Sequence, residues 1–494
     1  MPKVSCLIPC FNMEKWIGKA VQSVLAQTVP VDEILVWNDG STDGTKAAIE
    51  ALAAEHPKVK ALGSEKNIGG GSAFAEMIKQ AQGDYLLLFA ADDLLDANYV
   101  EKVTKELDEH PEALMAACHP RFMDSEGNPY LNPQDPRMRI PFPKNAPREQ
   151  MLATLRPGNQ YFGVGTYRKT CFDQVGQFSN ELQWLLDWDY YIRILKVASI
   201  RIVEEQLCTY RLHDGALSSI TQDKIARQAK YSRVIRQRHF TPTHFKVVLA
   251  TPFYMSLCFS QYKASVVATT NWLQSQRIDY ETLDLNGDSY VDRAKNTLVA
   301  KFLEGDGTDL LMIDSDMQWS PDAVRRVLSY PDEVVAGAFP MKNLWKQFTA
   351  WPLVGPDGNT PIGRDLGDGS ALLKSARVSG GFLRIKRSAL ERFANHYEDM
   401  VYVDPSADPN CPSRIYTCFF ECMRRNYIRF GEDMMFSLRW VEMGGELWTD
   451  PNIHFGHFGT EGHFGNYHES LLRPAEDIEK IRKQQQQEKK AAAA

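Results

Sequence analysis

Short apolar runs alternate with longer amphipathic segments from the start of the chain. Val4–Ile8 is a β-type run that stops at Pro9, and Lys15–Ala26 carries Trp16, Ile17, Ala20, Val21, Val24 and Leu25 at helical spacing. Glu33–Trp37 reads as a second strand and ends in the turn and helix-start signal Asn38-Asp-Gly-Ser-Thr-Asp-Gly44. Thr45–Glu55 predicts a helix, Val59–Leu62 a third strand, Ser72–Ala81 another helix, and Tyr85–Phe89 a fully apolar strand that runs on to Asp92-Asp93. Strands alternating with helices predict an α/β fold with a mostly parallel sheet covered on both faces. Ligands of such sheets gather beyond the carboxyl ends of the strands, and Asn12, Asp39, Asp92 and Asp93 all follow strands.

Near residue 240 the pattern restarts, with Thr241-Pro-Thr-His as a linker and Phe245–Ala250 as a new first strand. Gly83-Asp-Tyr-Leu-Leu-Leu-Phe-Ala-Ala-Asp-Asp93 has a counterpart in Gly307-Thr-Asp-Leu-Leu-Met-Ile-Asp-Ser-Asp316, and Leu186–Arg193 has one in Glu432–Arg439. A strand ending in acids, followed much later by an acid that opens an amphipathic helix, occurs twice in the same order. The expectation is a duplicated architecture: one domain over 1–240, a second over 241–470, and a polar helical or disordered tail over 471–494.

The acids at the strand ends carry the chemistry. A buried strand ending in Asp-x-Asp presents carboxylates at its open end, and hard cations take oxygen ligands, commonly one or two carboxylates plus substrate phosphates. The alternative is that Asp92, Asp93, Asp314 and Asp316 cap the next helix. Asp187 and Asp433 each precede an amphipathic helix; either takes a proton from an attacking hydroxyl or caps that helix. His454, His457 and His463 lie in a Gly- and aromatic-rich segment where a neutral imidazole can complete a metal shell, with packing as the alternative. Trp184 and Trp188 flank Asp187, and Trp345, Phe348 and Trp351 precede Gly380; they are either sugar-stacking platforms or core.

In combination and in order, Ile8-Pro-Cys-Phe-Asn12, Val36-Trp-Asn-Asp-Gly-Ser-Thr-Asp-Gly-Thr45, Asn67-Ile-Gly-Gly-Gly71, Asp92-Asp93, Asp187-Trp-Asp189 and Tyr210-Arg-Leu-His213 make residues 3–220 resemble a family-2-type inverting glycosyltransferase of the GT-A fold. The resemblance implies that Pro9 and Asn12 lie beside the nucleotide, Asp39 hydrogen-bonds the base, and Asn67 and Gly69 belong to the loop near base and ribose. It implies Asp92 as metal ligand, Asp93 as support for the donor sugar, Asp187 as catalytic base, and Arg211 and His213 as holders of the diphosphate or the metal, His213 being taken as a ligand. Two departures stand out: the first acid of the family's Asp-x-Asp-Asp is Ala90, and the usual Glu before the base is Leu186. Both leave room for an altered donor preference or a degraded first domain.

Residues 245–470 resemble GT-A glycosyltransferases more distantly, so that the whole reads as two GT-A-like, Rossmann-like domains in tandem. Here the resemblance implies Asp314 at the nucleotide sugar and Asp316 at the metal. It implies Gly381 in an acceptor-side glycine turn, Glu432 and Asp433 as the base motif with Asp433 as base, and Arg293 and Asn296 along the nucleotide site. His457 is the favoured histidine ligand. The implied cofactor is a divalent cation, Mn²⁺ or Mg²⁺. The implied partners are a nucleoside-diphosphate sugar, UDP-sugars being favoured, and a glycan or other hydroxyl acceptor.

Composition narrows this picture. The 494 residues are 44% hydrophobic and 24% charged, with net charge −7 and pI near 5.9, so no global field attracts nucleic acid or an anionic membrane. The basic stretch Lys224–Arg238 reads as a solvated helix face, and a modified nucleobase stays open as an acceptor beside polysaccharide, lipid-linked glycan and protein. The nine scattered cysteines contain no Cys-x-x-Cys pair, which points to a reducing cytoplasm. The N-terminus lacks a signal-peptide run, and no apolar stretch reaches the ~18 residues of a membrane span. Two rival readings remain: one domain is an inactive nucleotide- or sugar-binding module, or the chain is a sugar-phosphate nucleotidyltransferase, which the missing Gly-rich phosphate loop after the first strand argues against.

Overall fold

The computed structural model describes residues 2–132, 144–159, 164–182, 185–213, 222–253, 257–342, 347–367, 370–403, 415–425, 428–459 and 462–465. The expected tail, Trp184, Trp345 and the His463 side chain lie outside the described residues. The chain divides into two compact units, with the division between His239 and Phe240. No helix among the described residues is long and apolar enough to cross a membrane.

The first unit runs β1 (Val4–Cys10), α1 (Ile17–Leu25), β2 (Glu33–Asp39), α2 (Thr45–Glu55), β3 (Val59–Ser64), α3 (Gly70–Gln80), β4 (Tyr85–Leu88), β5 (Leu94–Leu95), α4 (Tyr99–Glu109), β6 (Ala113–Met123), α5 (Arg148–Thr154), β7 (Gly165–Arg168), α6 (Cys171–Gln174), α7 (Leu186–Val197), β8 (Ser199–Arg211) and α8 (Gln222–Phe240). Its sheet has the order β3-β2-β1-β4-β7-β6-β8-β5. β1 continues through Pro9 to Cys10, past the expected stop. Its pairing with β4 ends at Leu7↔Leu88, so Pro9 faces only β2, and a missing N–H is tolerated there. Alternation splits the strands between two buried faces. Cys6, Ile8, Ile34, Val36, Tyr85 and Leu87 pack with α1 and α4, while Leu7, Leu35, Leu86 and Leu88 are buried on the other side.

The second unit runs β9 (Lys246–Phe253), α9 (Ser260–Ser275), β10 (Asp279–Asn286), α10 (Val291–Glu304), β11 (Asp309–Ile313), β12 (Met317–Gln318), α11 (Pro321–Ser329), β13 (Val334–Gly337), β14 (Trp351–Pro352), β15 (Gly363–Asp365), β16 (Ala371–Arg377), β17 (Phe382–Lys386), α12 (Arg387–His396), β18 (Val401–Val403), β19 (Ile415–Thr417), β20 (Met423–Arg425), β21 (Ile428–Phe430), α13 (Glu432–Glu442), β22 (Leu447–Asp450), β23 (Phe455–Phe458) and β24 (Gly462–Gly465). The main sheet has the order β10-β9-β11-β17-β13-β22-β16-β14. Val248, Ala250, Leu310 and Met312 pack towards α10, α12 and α13, and Val247, Leu249, Leu311 and Ile313 towards α9 and α11.

Six strands of each sheet follow one plan. Along β2-β1-β4-β7-β6-β8 the pairings are parallel, parallel, antiparallel, antiparallel and parallel, and along β10-β9-β11-β17-β13-β22 they are the same. In both, the acid-bearing strand lies between a parallel and an antiparallel neighbour. Its carboxyl end therefore opens where strand direction changes, and such a switch leaves a crevice.

Candidate functional site

In the first unit the loops beyond β1, β2 and β3 are tied together by side chains. Asn12 adopts a left-handed backbone conformation (φ 57°), which Asn tolerates better than most residues, and its Oδ1 accepts the Thr42 N–H at 2.8 Å. The Asn12 N–H donates to Ser41 Oγ at 3.0 Å. Asp39 is buried, and its two oxygens accept the Ile68 and Gly69 N–H groups at 2.8 and 3.0 Å; Asn67 Oδ1 also accepts from Gly69, at 3.1 Å. Gly40 (φ 69°) is required at this join, since a Cβ there would lie 2.6 Å from Asn67 N. Asn12, Asp39, Asn67 and Gly69 thus tie the loops beyond β1, β2 and β3 to one another, with both Asp39 oxygens bonded to backbone N–H groups.

Beyond β4, Asp92 Oδ2 stands 2.9 Å from His213 Nε2, although 121 residues separate them in sequence. Arg211 builds this corner. Its N–H donates to Asp93 Oδ1 at 2.9 Å, its Nε to the Asp92 carbonyl at 2.8 Å, and its Nη1 to the carbonyls of Asp124 and Ser125 at 3.3 Å each. Asp93 and Arg211 are buried, so both act as struts behind Asp92; burial and the neighbouring Asp92 charge push the Asp93 carboxyl well above the usual range. The Trp16 ring packs on the His213 imidazole at 4.3 Å, a support the sequence did not reveal.

Asp187 opens α7. Its Oδ1 accepts the Trp188 N–H at 2.8 Å and its Oδ2 accepts Asn159 Nδ2 at 2.7 Å. Burial pushes its carboxyl up to about 6, against the opposing pull of these two bonds. Trp188 is 1% exposed and donates from Nε1 to the Leu155 carbonyl at 2.8 Å, so its ring is core and offers no platform to a sugar.

In the second unit the acids of β11 and α13 converge on a lysine. The Lys295 ammonium, 1% exposed, donates to Asp433 Oδ1 at 2.6 Å and to Glu432 Oε1 at 3.0 Å. Asp433 Oδ2 accepts the Gly380 N–H at 2.7 Å, and the Gly381 carbonyl accepts the Asp314 N–H at 3.1 Å. Burial pushes Asp314 up to about 6, opposed by Lys295. Burial also raises Asp433, and on Glu432 the Lys295 charge overrides it and holds the carboxyl low. The segment Asp292–Asn296 was expected to offer Arg293 and Asn296 to a nucleotide, but the structure uses them otherwise. Arg293 forks onto Asp288 at 2.8 Å, and buried Asn296 bonds the backbone of Phe419 and Phe420 at 2.7–2.9 Å. Lys295 is the residue of that segment that reaches the acids. Its spacing with Leu298, Val299 and Phe302 on the apolar face of α10 was the available signal, whereas nothing in the sequence marks Asn159.

The residues present fit a divalent cation. In the second unit Asp316 Oδ1 is buried with no hydrogen-bond partner and lies 3.7 Å from His457 Nε2. The other ring nitrogen of His457 is 2.7 Å from the Pro340 carbonyl, an acceptor only, so Nδ1 carries a proton and Nε2 is the ring nitrogen that faces Asp316. Lys342 pairs with the second Asp316 oxygen. In the first unit Asp92 Oδ2 and His213 Nε2 are in hydrogen-bond contact at 2.9 Å, and these are the residues that would hold an ion there. Among the described residues no group of three or more His, Cys, Asp or Glu could hold an ion alone. An ion held by Asp92 and His213, or by Asp316 and His457, would therefore need water and phosphate to complete its coordination.

Residues 5–172 match the model for glycosyl transferase family 2. The chain is 28% identical over 274 residues to a chondroitin synthase of Escherichia coli, covering 55% of this chain and 35% of that protein. It is 27% identical over 259 residues to the uncharacterized glycosyltransferase YwdF of Bacillus subtilis, covering 51% of this chain and 90% of that one. A crystal structure of S. aureus TarS 1–349 in complex with UDP-GlcNAc aligns at 20% identity and TM-score 0.38, over 48% of this chain and 67% of its own. The N-terminal region of the chain carries a glycosyltransferase family 2 domain.

Proposed function

We propose that the chain transfers sugars from nucleoside-diphosphate sugars, UDP-sugars first among them, to hydroxyl acceptors at two sites, one in each unit. In the first site the reaction is an inverting displacement. The acceptor oxygen attacks the anomeric carbon, its proton passes to Asp187, and the bond to the diphosphate breaks with the electron pair leaving on the diphosphate oxygen. A Mn²⁺ or Mg²⁺ ion bound by Asp92 and His213, or by Asp316 and His457, would neutralise that leaving charge. Asp187 suits a base because burial keeps its proton affinity close to neutrality while two fixed donors orient it.

The observation that carries the proposal is the meeting of Asp92 and His213 at the open end of β4, in the unit that holds the family 2 match. The shared six-strand plan, with an acid-bearing strand and an acid-opened helix in both units, supports a second site of the same kind.

Calorimetric titration with UDP-, GDP- and dTDP-sugars, with and without Mn²⁺, tests the reading. We expect cation-dependent binding that Asp92→Asn and Asp316→Asn each weaken, and release of the nucleoside diphosphate that Asp187→Asn reduces. No binding of any of these nucleotides under any cation condition would sink it.

A further inference from the structure

The two units hold their helix-opening carboxylates with different chemistry. In the first, Asp187 is held by a neutral amide, Asn159. In the second, Asp433 is held by a buried ammonium that also takes Glu432. The Glu432 and Asp433 side chains keep 17% and 21% of their surface open, while Lys295 keeps 1%, so the cation lies beneath and the carboxylates face outward. A buried lysine is costly unless its charge is matched, and here the match is complete: Asp433, Asp314 and Glu432 together raise its proton affinity although burial works to lower it. The backbone is cut to this arrangement. A Cβ on Gly380 would stand 2.4 Å from both Asp433 Oδ1 and Lys295 Nζ.

We propose that Lys295 is the positioning residue of the second site: from beneath, its ammonium fixes Glu432 and Asp433 side by side and orients them towards the donor and acceptor. The inference rests on the reading of the second unit as a sugar-transfer site. Lys295 touches no substrate. It acts through Asp433, whose second oxygen is fixed by the Gly380 N–H, so the carboxylate plane is set by two donors, one on α10 and one in the turn between β16 and β17. The groups facing this cluster are Asp314 at the end of β11, with Asp316 beyond it, Glu432 and Asp433 on α13, and Cys422 and Asp292 on the outer side of Glu432. Lys342 and His457 stand by Asp316, and Arg429 by Cys422, but among the described residues Lys295 is the cation that bonds both Asp433 and Glu432, so removing its ammonium leaves these two adjacent carboxylates without their shared donor.

The test uses the full chain with the first site silenced by Asp187→Asn, measuring donor turnover with Mn²⁺ from pH 5 to 9 and nucleotide binding by calorimetry. In that background Lys295→Met should lower kcat on the order of 10-fold or more with the nucleotide Kd within about twofold. The acid limb of its kcat profile should move up by about one to three pH units, because a carboxylate that loses a contacting cation holds its proton more tightly. Lys295→Arg should keep the acid limb in place and lose kcat, since a planar fork cannot replace a compact ammonium between two carboxylates. If Lys295→Met does not fold, Lys295→Arg alone decides, and an unchanged kcat in it overturns the proposal. Residual turnover that Asp433→Asn removes but Lys295→Met leaves with the same kcat and limb also overturns the proposal, and only that. Turnover that Asp433→Asn leaves untouched removes the second-site reading itself, and the proposal with it.

Discussion

Replacing Asp187 with Asn separates what this carboxylate does for the reaction from what it does to the fold. Burial lifts the carboxyl from the ordinary 3.8 to about 6. The folded protein therefore holds the proton more tightly than the unfolded chain, and the wild type loses stability as the pH rises from about 4 to about 6, carrying the full cost above that. At about 1.4 kcal/mol per pH unit, the rise of about two is worth about 3 kcal/mol, and less because the side chain is half-buried. Asn carries no such charge. Its Oδ1 still accepts the Trp188 N–H, and its amide meets Asn159 once the latter turns its oxygen inward. Scanning calorimetry of the two proteins from pH 4.5 to 8 should show the Asn variant gaining on the wild type with rising pH, by about 1–3 kcal/mol over the range. The same substitution should cut transfer by the first site by about 10²–10⁴-fold, and wild-type transfer there should fall about tenfold per pH unit below pH ~6. A stability difference flat with pH, or one that favours the wild type at pH 8, would refute the claim that Asp187 is held as a strained, half-buried base.

Three further outcomes follow from the geometry. Gly380→Ala should destabilise the second unit by about 1–3 kcal/mol, because its Cβ would overlap Asp433 and Lys295 at 2.4 Å; thermal unfolding compared with Gly358→Ala, a left-handed position with open space around it, separates overlap from backbone strain. Arg211→Lys should cost roughly 2–4 kcal/mol and weaken Mn²⁺ binding to the first unit, since an ammonium cannot bridge the carbonyls of Asp92, Asp124 and Ser125; titration of Mn²⁺ by electron paramagnetic resonance reads the second effect. Trp188→Phe should lose about 1 kcal/mol with its bond to the Leu155 carbonyl and leave the donor KM unchanged, whereas a raised KM would mean that the ring meets the sugar.

Much of the fold was legible along the chain because its signals are local. β2 and β4 carry continuous apolar runs, β1 and β3 shorter ones interrupted by Ser5 and Lys60, α1 has the helical period, and polar residues follow the ends of β1, β2 and β4. The strand-end acids, the acid-opened helices α7 and α13, and the recurrence of both were visible for the same reason. Pro9 shows the limit even there: the sequence stops β1 at the proline, and only the sheet order, with β4 already left behind, explains why the strand continues to Cys10.

What the sequence could not settle are partners set by long-range packing. His213 reaches Asp92 across 121 residues, and Lys295 reaches Asp433 across 138. Asn159 carries no local mark of its bond to Asp187, and Asp39 and Arg211 show their use of backbone only once the loops close around them. Residue type told which side chains can hold a proton, a cation or a phosphate. Which of them are left free to do so depends on the hydrogen bonds that burial obliges the others to make, and those are decided by the tertiary structure.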